Sequence, residues 1–296
     1  MSRGVSLRSI AMLRVLLNHY HRDSVEFLIK YLSDEEKQSV LDIGITSGDY
    51  SVIADLSKDV IQRFHYSWLY RIVEKVPEEL HPFVFASLTK SQAEGLSGLL
   101  EEPMQDVSLP DKTKQFFIDY LFPFFSSRNV FPRRWLSESE LSPLLEMSKR
   151  QLVTTIDFLG IHDLARELPQ VLDKKILKGI YEALSETKRL YLRRCLKAKD
   201  KASFPDLNLR HWNGDVISLE KTLHYRGLMR LGIAVSQESL NFLWHLCHML
   251  DVGRAQEIKK SVRNKEEIAA LSVPLRSHVV DLITFLKEVG HGKKTR

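Results

Sequence analysis

The chain has 296 residues, 44% hydrophobic and 27% charged, with few Gly and Pro. That supplies apolar surface for one or two cores and excludes a disordered or fibrous composition. Two distant cysteines, Cys195 and Cys247, exclude a disulfide framework and point to a reducing setting, and a net charge of +5 permits an acidic partner or nucleic acid, although the basic residues are spread along the chain.

The first stretch, "MSRGVSLRSIAMLRVLLNHYHR", has an apolar run broken by Arg14 and lacks a small-residue cleavage site. It is read as an amphipathic helix with Ile10, Leu13 and Leu17 on one face, not as a signal peptide. No later run is apolar over the roughly 18 residues that a membrane span needs. Helical stripes follow: Val25, Leu28, Ile29 and Leu32, then Val52, Ile53, Leu56, Val60 and Ile61, then Ile176, Leu177, Ile180 and Leu184. Strand alternation is rare.

Hydroxyl residues punctuate these stripes. Ser33 with Glu36, Thr89 with Gln92, Ser137 with Glu140 and Ser148 with Gln151 fit the capping box, in which a small hydroxyl meets a free amide of the first turn and the residue three later reaches back. Gly44 and Gly160 are placed as helix stops. Leu32, Leu88, Leu136, Leu184 and Val235 are each followed by Ser or Thr and, eight positions on, by a second apolar residue. Starts roughly 50 residues apart suggest stacked helical units of armadillo or HEAT type.

Two breaks interrupt the pattern. "EEPMQDVSLPDK", residues 101–112, carries Pro103 and Pro110. It divides the expected organisation into an N-terminal helical domain (1–102), a linker (103–112), a C-terminal helical domain (113–289) and a basic tail (290–296). "FPFFSSRNVFPRRW", residues 122–135, is expected to pack its aromatics at the domain junction. Asn213-Gly214, between the runs of "NLRHWNGDVISL", predicts one short β-hairpin near 207–219 that covers a core edge or presents Trp212. The fold class is therefore all-α, with stacked helical hairpins in two domains.

Candidate chemistry is sparse. His245, Cys247 and His248 in "HLCHML", with His224 upstream, lack a second cysteine pair, and Cys247 leaves the face shared by the two histidines. Cys195 has basic neighbours but shares the stripe of Leu192 and Leu196. Glu78-Glu79 suits a first helical turn. No phosphate loop, dinucleotide fingerprint or nucleophile elbow is present. No catalytic residue, metal or cofactor is assigned. The densest basic-aromatic cluster is Arg210, His211, Trp212, Lys221, Arg226 and Arg230, fit for phosphates or an acidic protein face.

"VPEELHPFVFASLTKSQAEGLSGLL" resembles the middle-domain signature of the flagellar rotor switch protein FliG. There an acidic residue, His and Pro open an apolar helix, followed by a turn and an Ala-rich helix ending in Leu-Leu. Glu79, His81, Pro82, Ala86, Leu88, Ala93, Leu96, Leu99 and Leu100 fit. "LDKKILKGIYEALSETKRLYLRRCL" looks like a further armadillo-type unit. Leu80 separates Glu79 from His81, Phe83 stands where Gln is usual, and no torque helix with alternating charges is recognisable near the C-terminus.

A FliG-like chain without a torque helix resembles SctK, the accessory protein of the type III secretion sorting platform. The resemblance implies a non-enzymatic cytosolic adaptor between a membrane ring protein of SctD type and a pod protein of SctQ type. It would sit at the inner membrane only through that complex, with no small-molecule substrate and no nucleic acid. Glu79, His81, Pro82 and Phe83 are the expected docking knob, with Trp212, Arg226 and Arg230 as a second contact. The alternative is a basic helical protein that binds nucleic acid or regulates.

Overall fold

Apolar residues three and four apart, closed by hydroxyl caps, become helices throughout the computed structural model. It describes residues 7–20, 24–41, 56–125, 130–198, 202, 204–262 and 265–292. Helices hold well over half of these residues and none is in a strand, so the chain is all-α. No helix among them is long and apolar enough to cross a membrane.

The chain forms two compact units: Met1–Ser139 with Ser239–Val252, and Glu140–Glu238 with Gly253–Arg296. Of the expected linker, residues 103–110 have no regular structure and 111–112 open a helix; the stretch joins two helices of the first unit, so the change of unit falls near residue 139, beyond the expected linker.

In the first unit, α1 (Leu7–Tyr20), α2 (Val25–Ile29) and α3 (Asp34–Leu41) bury Ile10, Leu17, Ile29 and Val40 around Trp135. α4 (Leu56–Arg63), α5 (Tyr66–Val73), α6 (His81–Ser87), α7 (Lys90–Leu100) and α8 (Asp111–Leu121) enclose a larger core of Val60, Ile61, Leu69, Val84, Leu96, Ile118 and Leu121. Helix α5 packs on α7, and α8 packs on α6 and α4. Of the aromatics in 122–135, Phe122 and Phe125 join the larger core, while Phe131 and Trp135 join the smaller.

In the second unit, α9 (Pro143–Glu146), α10 (Lys149–Leu159), α11 (Ile161–Glu167), α12 (Lys174–Ala183) and α13 (Glu186–Lys197) precede the long α14 (Val216–Ala234). Helix α15 (Leu240–Met249) belongs to the first unit, and the chain ends in α16 (Val252–Val262) and α17 (Lys265–Gly292). Helix α14 lies against α10, α11 and α17. Two glycines bring α10 and α14 together: a Cβ at Gly160 would lie 2.0 Å from the Leu223 carbonyl oxygen, and one at Gly227 would lie 1.8 Å from that of Ile156. Gly160, expected as a stop, has ordinary helical φ and links α10 directly to α11. Its use is close approach, not a left-handed turn.

The boxes at Ser33, Thr89 and Ser148 form with their expected partners. The one at Ser137 does not: Ser137 lies outside any helix and Glu140 in a turn, with its carboxylate 3.5 Å from Arg276. A short tight corner recurs instead. Leu88, Met147 and Leu184 each end a helix in extended conformation, and the next residue, Thr89, Ser148 or Ser185, caps the following one. Five expected repeat starts thus include true corners at Leu32, Leu88 and Leu184, whereas α15 is capped by Ser239, not Ser236.

The predicted hairpin is absent. Residues Leu209–His211 form a short 3-10 turn, Gly214 takes φ +91°, Asn213 Oδ1 accepts from the Asp215 amide, and Asp215 caps α14. Asn-Gly supplies positive φ to a hairpin or to a helix entry alike. The residues that follow decide, and Leu219 and Leu223 are buried at helical spacing. Gly44 lies outside the described residues, as do residues 293–296 of the expected tail; 290–292 end α17.

Candidate interaction surface

The FliG-like corner is half core and half surface. Glu78–Leu80 form a 3-10 turn with Glu79 exposed, and Pro82 sits in the first turn of α6, where no intrahelical amide is lost. His81 is not a docking group: its side chain is buried, 2.8 Å through Nδ1 from the Glu102 carboxylate and 2.9 Å through Nε2 from the carbonyls of Val73 and Val76. Both ring nitrogens face acceptors alone, an arrangement that favours the imidazolium, in which both donate. It fastens the end of α5 to the segment after α7.

Burial pulls the His81 pKa down, but the Glu102 carboxylate and then the Val76 and Val73 carbonyls outweigh it, and the net shift is upward. A raised folded-state pKa adds stability that is full below the unfolded value and is lost as pH rises through the folded one. The stability lost in Glu102→Gln is therefore expected to be larger at about pH 5.5 than at about pH 9, on either side of the histidine range. Urea denaturation of both proteins checks this; an equal difference at the two values contradicts the charged ring.

Phe85 is core, whereas Phe83 is 37% exposed and stacks on Phe117 at 6.5 Å between ring centroids. Phe117 meets Phe116 edge-on at 5.5 Å, and Tyr120 meets Phe124 at 5.6 Å. Phe116, Tyr120 and Phe124 are 63%, 47% and 58% exposed, which leaves an aromatic row at four-residue spacing from α8 into the 3-10 turn after it, facing solvent. A large apolar surface of this kind marks an interaction site far more often than a lone exposed leucine does. Phe124 falls in the stretch expected to pack its aromatics at the domain junction, and Phe116 and Tyr120 had not been singled out.

In the second unit the basic-aromatic cluster comes apart. Arg230, expected at a partner surface, is fully buried in α14: Nη2 donates to Asp163 Oδ1 at 2.9 Å, Nε to Oδ2 at 3.3 Å, and Nη1 to His278 Nδ1 at 3.2 Å. Its guanidinium lies 4.8 Å from the centre of the Phe204 ring. His278 stacks on His162 at 4.2 Å, and His162 Nε2 lies 2.9 Å from the Tyr191 hydroxyl, whose pKa burial pushes up. This is a polar network inside the core. Arg226 is half-buried and donates to the Pro205 carbonyl at 2.7 Å, and the amide of Leu207 donates to Glu167. These groups hold residues 204–211 where a strand ladder had been expected. Arg210 reaches Gln170, and Lys221 is exposed.

Trp212 is half-buried, with Nε1 donating to the Asp215 carbonyl at 3.1 Å and the ring over Gly179. It walls a surface cavity of about 680 Å³ shared with Ile176, Val216, Lys175 and Glu182. A second polar cavity contains His224, Asp157 and Arg254, of which only His224 had been singled out. Asp157 is 67 positions from its histidine, so no local spacing announces the pair.

The histidines of "HLCHML" pack the first unit. His245 Nε2 donates to the Phe131 carbonyl at 2.8 Å, burial lowering its pKa, and His248 stacks on Phe64 at 4.6 Å. Cys195 and Cys247 are buried. Among the described residues no group of three His, Cys, Asp or Glu is placed to hold a metal. Compared with protein-family models, curated proteins and solved structures, the chain has no match.

Proposed function

We propose that this chain is a non-enzymatic helical adaptor that works through its surfaces, and that its place is the cytosolic sorting platform of a type III secretion or flagellar-type apparatus. The observation that carries the adaptor reading is the exposed row Phe116, Tyr120 and Phe124, joined across α6 by Phe83 and Phe117. Aromatic side chains anchor interfaces because they bury much area with few rotatable bonds. Trp212, beside its open cavity, is the second contact. The platform assignment rests on the resemblance of residues 76–100 to the FliG middle domain, with Glu79 and Phe83 among the residues of that corner left on the surface. The tight helix–cap–helix corners suit an armadillo- or HEAT-like stack in each unit, and a ring protein of SctD type and a pod protein of SctQ type are the proposed partners.

Affinity purification from native cells, comparing the wild type with Phe116→Asp/Tyr120→Asp, tests both parts. Both substitutions are on an exposed helix face, so the melting temperature is expected to stay within a few degrees while partner recovery falls at least about tenfold, roughly 1.4 kcal/mol of binding. Undiminished recovery removes the aromatic row from the interface. Partners outside the secretion apparatus leave an adaptor but end the platform assignment, and co-purified nucleic acid favours the alternative.

A further inference from the structure

The polar cavity of the second unit has the chemistry of an anion site. It encloses about 320 Å³ between α10, α13, α14 and α16, and its wall carries Asp157, Lys188, Glu220, Lys221, His224 and Arg254. Asp157 and His224 come from the two helices that the glycine contacts press together, so the floor is rigid. His224 Nδ1 lies 2.6 Å from Asp157 Oδ1 and donates to it, and Arg254 Nε donates to His224 Nε2 at 2.8 Å. The chain of bonds fixes the imidazole in one tautomer and fastens the guanidinium to the cavity wall.

Two ammonium groups, Lys188 and Lys221, from two helices face this cavity beside the anchored guanidinium of Arg254, and of its two carboxylates Asp157 is engaged by His224. Neither Lys188 nor Lys221 forms an ion pair among the described residues, in contrast to Lys37, Lys178 and Lys260. An oxyanion beside the two ammonium groups relieves their mutual repulsion and gains charge-assisted hydrogen bonds from them and from the guanidinium. The cavity is roomier than a bare oxyanion requires, and Glu220 offers an acceptor for a hydroxyl on its remaining wall.

We propose that this cavity binds a small hydroxylated phosphomonoester, with the phosphoryl group on Lys188, Lys221 and Arg254 and a hydroxyl on Glu220. This holds whether or not the chain is an adaptor. The site makes the second unit responsive to a metabolite, since a ligand that binds only the folded state stabilises it by mass action.

Calorimetric titration of the full chain at constant ionic strength, with ribose 5-phosphate, inorganic phosphate and ribose as probes, tests the site. Saturable binding of ribose 5-phosphate is expected, with weaker, competing binding of inorganic phosphate and no binding of ribose. In Lys188→Ala/Lys221→Ala the affinity is expected to fall at least about tenfold. Lys221 is exposed and Lys188 half-buried, so the variant is expected to melt with the wild type, which is checked without ligand. Failure of both phosphates to saturate at millimolar concentration, or unchanged affinity in the double variant, overturns the site. Equal affinity for inorganic phosphate and ribose 5-phosphate overturns the ester assignment.

Discussion

Replacing Arg230 by methionine is expected to lower the unfolding free energy by about 3–5 kcal/mol, the range found when one partner of a buried ion pair is removed. The substitution keeps the length of the side chain but leaves the Asp163 carboxylate, wholly enclosed between α11 and α14, without its guanidinium. It also removes the donor to His278 and the cation over Phe204. In a unit of this size the melting temperature is expected to drop by roughly 10 °C. The informative comparison is Arg230→Met with Asp163→Leu. Removing both charges leaves neither one stranded, so the double variant should recover most of the loss, and guanidinium denaturation of the four proteins completes the cycle. If Arg230→Met alone stays within about 1 kcal/mol of wild type, well under the range for a stranded charge, the pair carries no such weight.

Gly227→Ala is expected to destabilise by about 3 kcal/mol or more, at or beyond the upper end of ordinary overpacking. The new methyl would stand 1.8 Å from the carbonyl oxygen of Ile156, and because that neighbour is helix backbone, α10 and α14 must separate. Gly160→Ala meets the Leu223 carbonyl in the same way. Gly98→Ala is the control, for Gly98 is exposed in α7 and an added Cβ meets nothing within 4 Å. There the gain in helix propensity is expected to stabilise by about 0.5–1 kcal/mol. Thermal melts of the three variants settle the point. A Gly227→Ala protein as stable as Gly98→Ala would mean that the two helices are not in backbone contact.

What could be read from the sequence was local. A stripe such as Leu56, Val60 and Ile61 needs only its own helix to be recognised, and a capping box is complete within four residues, so α4 and the caps of α7 and α10 were legible. The Ser137 box failed because a hydroxyl followed three residues later by Glu caps nothing unless an apolar stripe continues, and Pro143 restarts the chain in a different turn. Asn213-Gly214 shows the same limit, since positive φ is a need shared by two unlike turns.

The candidate sites were harder, because long side chains owe their place to distant residues. Arg226 and Arg230 are four apart on one helix and look alike in sequence. One is held by the Pro205 carbonyl at the surface and the other by Asp163 in the core. His81 was visible as a residue, but its fixing acceptors arrive from the end of α5 and from Glu102, beyond α7. Phe116, Tyr120 and Phe124 stand at helical spacing, which reads as a buried stripe whenever nothing marks the face as solvent.

Helix α15 carries a consequence for synthesis. The first unit lacks a wall until residues 239–252 are made, for His248 stacks on Phe64, Trp68 Nε1 donates to the Leu250 carbonyl, and the Phe131 amide donates to Asn241. Between Ser139 and Ser239 the ribosome must add the stretch that belongs to the other unit, which at about 5–20 residues per second takes roughly 5–20 s. That second unit in turn waits for Gly253 onward. The first unit cannot close early, so Phe64 and Trp68 stay open to chaperones and to neighbouring polypeptides until residue 252 has been added. A stop codon between residues 140 and 252 leaves two unfinished units.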